Sequence, residues 1–267
     1  MECGSCRSCS SRNPEVQATL QPIELRPIGE TMPSSAPRRN QLLLSLPAAD
    51  LEMLRPHLGF AEMVREAVLT RAGAPLSHVY LPHSGVISMM VSLSGGQSVE
   101  VAMIGRESIF GAAAALGGRL SLTDAVVVLP GTASVLDVAQ LRTAADRSAG
   151  LRTTLIRHEQ ALLAQAQQSA ACNAVHSVEA RLSRWLLRIR DVSGDESLPL
   201  TQEFLARMIG VQRNAVSLVA HALQQAGIIR YSRGQIHISN MEGLRETSCE
   251  CYHAVKAQYD RLLKRSD

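Results

Sequence analysis

The sequence has no apolar run close to the ~20 residues a bilayer-spanning helix needs. That excludes a conventional transmembrane helix. No basic stretch followed by an apolar one opens the chain, which predicts no signal peptide and a cytoplasmic address. An excess of one sign of charge is also lacking. The formal net charge is only +3, too small by itself to argue for a polyanionic partner. Cysteine is absent between positions 10 and 171. The cysteines outside that gap do not read as a disulfide framework in a cytosolic chain. Proline is absent from 131 to 198, so nothing in that stretch breaks a long helix.

What is present divides the 267 residues into four parts. Residues 1–40 carry Pro14, Pro22, Pro27, Pro33 and Pro37 among Ser, Arg and Asn. They have too little apolar surface to offset ordering entropy, and are expected to form a flexible extension bearing cysteines. Residues 41–145 are expected to form a β domain led by two short helices, the second capped by Asp50 or the residues just before it. Strands are expected at Val64–Leu69, His78–Leu81, Val86–Leu93, Ser98–Ile104, Ala125–Leu129 and Ala133–Leu136, with a short helix within Ile109–Leu116. Glycine- and proline-bearing turns separate them, a pattern that suits a sandwich or barrel.

The stretch 138–175 reads as helix, with 146–175 as the connecting segment. Leu151, Leu155, His158, Leu162, Gln165, Ser169 and Cys172 fall at alternating steps of four and three. That spacing fits a dimerisation seam and equally a helix packed on its own domain. Residues 176–267 form the last unit.

Within it, residues 202–221 have the spacing of a helix-turn-helix. Ala206 is the small residue where the helices cross, and Gly210 supplies positive φ in the turn. Leu205, Ile209, Val211, Val216 and Val219 are placed to join the helices. Thr201 is expected to cap the first helix, and Gln212 to open the second. Ile228–Ser232 and Gln235–Ile238 read as a hairpin turning at Arg233-Gly234. Residues 201–240 hold Arg207, Arg213, Arg230 and Arg233 against Glu203 alone, a local excess that phosphates could balance. In such a motif the start of the second helix enters the major groove of double-stranded DNA. The candidate DNA contacts are therefore Thr201, Gln212, Arg213, Asn214, Ser217 and Arg233.

In this order, a β-roll, a long helix and a winged helix-turn-helix resemble the Crp/Fnr family of bacterial transcription regulators. The segments Leu81–Ser88, Val101–Glu107 and Leu198–Ala206 carry the likeness, which runs from about residue 41 to 263. The resemblance implies an α+β chain with a cyclic-nucleotide-binding-like jelly roll. It also implies a homodimer that reads a two-fold-related operator and contacts RNA polymerase in response to a signal.

Three departures qualify it. Cyclic-nucleotide binders of the family hold the ribose with Glu in a Gly-Glu-Leu segment and the phosphate with an Arg-Ser or Arg-Thr pair. Here those places read Gly111-Ala112-Ala113 and Leu122-Thr123, so cyclic-nucleotide binding is not expected. Many family members follow the recognition-helix Arg with Glu and place a second Arg five residues after the first. Asn214 and Leu218 stand there, so a different base preference is expected. Oxygen-sensing members hold an iron–sulfur cluster with N-terminal cysteines and a fourth in the β-roll. Cys3, Cys6 and Cys9 resemble such a set, but the roll has no cysteine, which leaves Cys172 as the nearest fourth ligand. An iron–sulfur cluster or zinc is open there, making a redox- or oxygen-responsive regulator the alternative function. Cys249 and Cys251 read as structural. A cupin-like enzyme is the weakest reading, because His78 and His83 have no convincing carboxylate partner.

Overall fold

The computed structural model describes residues 25–26 and 40–263. The N-terminal unit holds β1 (Leu25–Arg26), α1 (Gln41–Ser45), α2 (Ala48–Leu54), β2 (Gly59–Met63), β3 (Val68–Thr70), β4 (His78–Pro82), β5 (Val86–Ser92), β6 (Ser98–Ile104), α3 (Ala112–Ala115), β7 (Asp124–Leu129) and β8 (Gly131–Asp137). Two four-stranded antiparallel sheets make the roll, in the orders β1-β2-β8-β4 and β3-β7-β5-β6. Alternation along the strands puts Ala61, Met63, Ile87, Ala102, Ile104, Ala125, Val127, Ala133 and Val135 in one core between the sheets.

Several expectations need correction here. A strand lies at Leu25–Arg26, paired with Phe60 and Ala61, inside the segment expected to be unfolded. Of the expected strand Val64–Leu69 only Val68 and Leu69 are strand, in β3; Val64–Ala67 form the turn that joins β2 to it, with Glu66 at φ 65. β2 itself escaped notice because Gly59 and Glu62 dilute its apolar pattern. Its register against Gly131–Val135 of β8 fixes it as a strand. Pro47 occupies the N-cap of α2 without a side-chain cap, and Asp50 lies buried in the first turn.

Helices follow: α4 (Val138–Arg147), α5 (Ala149–Val175) and α6 (Val178–Ser193). The helix expected to run unbroken from 138 is cut at Ser148. Ser148 leaves the helical region, ends α4 and caps α5 by accepting from Leu151 N–H. The chain closes with β9 (Ser197–Leu198), α7 (Gln202–Ile209), α8 (Arg213–Gln225), β10 (Ile229–Ser232), β11 (Gln235–Ile238), α9 (Met241–Thr247) and α10 (Cys251–Leu263). Strands β10, β11 and β9 form a small antiparallel sheet.

The proposed seam of α5 is used inside the chain. Leu151 and Leu155 pack with α1, α2 and α4, and Leu162 enters the roll core. His158 Nε2 accepts from Ile109 N–H at 3.2 Å, and Gln165 accepts from Tyr259 of α10 at 2.9 Å. The C-terminal unit also rests on the roll. Ser88 of β5 faces Met208 of α7, and Trp185 of α6 donates to Glu100 of β6 at 2.9 Å. Among the described residues, no helix is long and apolar enough to cross a membrane.

Candidate nucleic-acid interface

Local chemistry builds the helix pair. Thr201 accepts from Phe204 N–H at 3.1 Å, filling one orphan donor at the start of α7. Gly210, at φ 66, ends α7, and Gly210 and Val211 N–H groups return to carbonyls of its last turns. Leu205, Ala206, Ile209 and Val216 are buried, and Val211 and Val219 pack against them. The apolar positions expected to join the helices therefore share one core cluster.

The polar positions separate into two groups. Gln212, Arg213 and Asn214 are exposed on the first turn of α8. Gln212 occupies the N-cap without a side-chain cap bond, so its amide is not spent on the helix end. Ser217 is half-buried and donates to Gln202 Oε1 at 2.6 Å, which braces α8 against α7. Thr201 likewise serves its own helix. On the same side of α8, Leu218 is 74% exposed, an apolar side chain held in water. Sequence reasoning marked it only as a departure.

Tyr231 N–H donates to Gln224 Oε1 at 2.8 Å, tying the hairpin to α8. The hairpin turns on Arg233 and Gly234, at φ 49 and 74, the left-handed pair that a two-residue turn requires. Arg233 is exposed at its tip. Arg207 is exposed yet lies over the Phe204 ring, 5.5 Å from its centroid, and Arg65 of the roll lies 5.6 Å from the same ring.

Two family models match the chain. The one described as Crp-like helix-turn-helix domain covers residues 180–247, and the one described as cyclic nucleotide-binding domain covers 62–148. Together they span more than half of the sequence. The chain belongs to the Crp/Fnr family of transcription regulators.

Solved structures of the family share the fold. FixK2 from Bradyrhizobium japonicum is 17% identical, with a TM-score of 0.63 over 72% of this chain and 98% of that one. A regulator of the family from Eubacterium rectale is 15% identical, with a TM-score of 0.60 over 77% and 96%. The c-di-GMP-responsive global regulator CLP of Xanthomonas campestris is 16% identical, with a TM-score of 0.59 over 72% and 99%. No curated protein matches the sequence.

In this Crp/Fnr chain the residues expected at the places of the cyclic-nucleotide contacts are Gly111, Ala112, Leu122 and Thr123. Gly111 takes φ 91 and starts α3, whose Ala112, Ala114 and Ala115 are buried. A Cβ at Gly111 would meet His78 O at 3.2 Å, so the turn is tight against β4. Leu122 is 90% exposed and Thr123 is buried. None of these four side chains carries a charge. A cleft of about 750 Å³ lies elsewhere, between the start of the roll, α6 and α10. Arg106, Arg190, Lys256 and the ion pair Arg188–Glu107, at 2.8 Å, line it.

The histidines of the enzyme reading are hydrogen-bonded within the fold. His83 accepts from Asn40 N–H at 3.1 Å through Nδ1 and meets Ser134 Oγ at 2.9 Å. His78 Nδ1 meets Ser77 Oγ at 2.9 Å. Neither belongs to the group of possible metal ligands found among the described residues.

That group is Cys172, His176, Cys249 and Cys251. Cys3, Cys6 and Cys9 lie outside the described residues. Among the described residues Cys172 meets Cys249 and Cys251, which read as structural, and His176, which sequence reasoning passed over. A Cys-x₃-His pair at a helix end facing a Cys-x-Cys was the signal available. Without a cation, burial holds the Cys249 thiol up at about 12, with Cys172 adding to the rise.

Proposed function

We propose that the chain is a sequence-specific DNA-binding regulator that reads a two-fold-related operator as a homodimer. One observation carries the reading. α8 buries its apolar side on α7 and leaves Gln212, Arg213 and Asn214 exposed on its first turn, beside an exposed Arg233 on the hairpin. Arg213 suits guanine O6/N7, and Gln212 and Asn214 suit adenine N6/N7. Leu218 lies four residues from Asn214, on the same side, and suits a thymine methyl. Arg233 suits a phosphate, whereas Thr201 and Ser217 act by holding the helices in place.

The dimer would form along the free side of α5. Ile156, Gln160, Leu163, Gln167, Ala170 and Ala174 are all exposed and fall at steps of four and three. Half-sites would then lie about one DNA turn apart. RNA polymerase as a partner, and a cytoplasmic address, follow from the family. The effector is expected to be something other than a cyclic nucleotide, since Ala112 and Leu122 offer a phosphate or ribose no charged partner.

Selection of binding sites from random duplex DNA, followed by anisotropy titrations with the selected site, tests this. Arg213→Ala should weaken binding by about 1–3 kcal/mol with the fold intact. Unchanged affinity for the selected site would remove the assignment.

A further inference from the structure

We propose that Cys172, His176, Cys249 and Cys251 form a closed mononuclear site for a zinc-class cation, clamping the end of α5 to the start of α10. Their four ligand atoms all lie within 4.8 Å of one another. Cys172 Sγ and Cys249 Sγ are 3.5 Å apart, and Cys251 Sγ and His176 Nδ1 are 3.6 Å apart. A tetrahedral zinc ion with ordinary Zn–S and Zn–N bonds needs S···S edges of about 3.8 Å and S···N edges of about 3.6 Å. Two edges of the tetrahedron are thus nearly in place.

The surroundings match the needs of such an ion. His176 presents Nδ1 inward, while its Nε2 lies 3.2 Å from Glu250 Oε1, the carboxylate that would fix the tautomer. Gln168 Nε2 donates to Cys251 Sγ at 3.0 Å. Three thiolates and one divalent cation leave a net negative charge, and the Arg181 guanidinium is close enough to Cys172 and Cys249 to feel theirs. The three thiols would pass their protons to solvent as the cation binds.

The donor set selects the ion. Three sulfurs and one imidazole in a closed four-ligand shell suit a structural zinc site. An iron–sulfur cluster does not fit, because it divides its ligands over two or more irons and spreads them, whereas these four atoms all lie within 4.8 Å of one another. The three cysteines and His176 are buried or half-buried, so no open position is left for a substrate. The site joins the helix that leaves the roll to the last helix of the chain, and Ala180 of α6 packs against the cysteines. Metal would therefore fix the unit that carries α7 and α8 to the connecting helix. This holds whether or not that unit reads DNA.

The test uses the full untagged chain, purified under reducing conditions without chelator. Metal analysis should find one zinc per chain. Changing Cys3, Cys6 and Cys9 together to Ser should leave that stoichiometry unchanged, whereas C249S with C251S should abolish it. If the double variant fails to fold, His176→Gln removes one ligand at the partly exposed edge and should also lose zinc on dialysis. Refilled with cobalt, the native chain should show intense ligand-field bands and thiolate charge transfer. Glu250→Gln should keep that spectrum with about 10–100-fold weaker cobalt affinity. Three results would overturn the proposal: native chain that retains neither ion, metal that follows the N-terminal cysteines, or fresh protein with Cys172 and Cys249 joined as a disulfide.

Discussion

Burial of Glu100 against Trp185 makes stability depend on pH in a direction opposite to most carboxylates. Glu100 lies on β6 with its side chain turned into the junction between the roll and α6. Trp185 N–H reaches Oε1, and Oε2 has no partner. Burial raises the carboxyl from 4.5 to about 7; the Ser88 hydroxyl, the Arg184 guanidinium, the Trp185 N–H and the Arg188 guanidinium lower it without cancelling the rise. A raised acid favours its protonated form in the fold. The stabilisation is complete below pH 4.5 and is lost as pH climbs through about 7. A rise of this size corresponds to about 3 kcal/mol, most of it lost between pH 5 and 8. Trp185 is the sole tryptophan, so its emission reports the junction directly. Native protein should show an emission change with a midpoint near pH 7 and a falling urea midpoint over the same range. Glu100→Gln keeps an acceptor for the indole and should flatten both. A native midpoint near 4.5, or an equally steep profile in Glu100→Gln, would refute the reasoning.

Other substitutions test the frame around the helix pair. Thr201→Ala should cost about 1 kcal/mol in denaturant unfolding, and Thr201→Ser should cost little, because only the hydroxyl cap is at stake. Gly210→Ala should cost about 1–2 kcal/mol from its left-handed backbone alone. A Cβ there would also meet Val99 Cγ2 at 3.1 Å, so the loss should be accompanied by looser seating of α7 on β6, read as faster proteolysis between the units. Leu163→Glu should weaken dimerisation about tenfold or more in sedimentation experiments while helicity is kept, since a charge replaces an apolar contact on the free side of α5.

The helix-turn-helix was legible because its signals are local. Thr201, Ala206, Gly210 and the apolar positions around them each act within a turn or two, so their spacing already contains the geometry. The hairpin at Arg233-Gly234 was legible for the same reason. Most strands of the roll followed from alternation, but β2 did not. Its identity depends on pairing with β8 about 70 residues later rather than on its own composition.

Sequence alone thus determined the order of the parts and the residues presented at the start of α8. It could not say which side of α5 is spent inside the chain. Spacing shows that Leu151, Leu155, His158 and Leu162 share a face, and only packing on the roll shows what covers it. Nor could it gather Cys172 with Cys249, 77 residues away, or Trp185 with Glu100, 85 residues away. Periodicity fixes which side chains point together along one element. Which elements then meet is decided by the burial of whole faces, a property of the assembled chain.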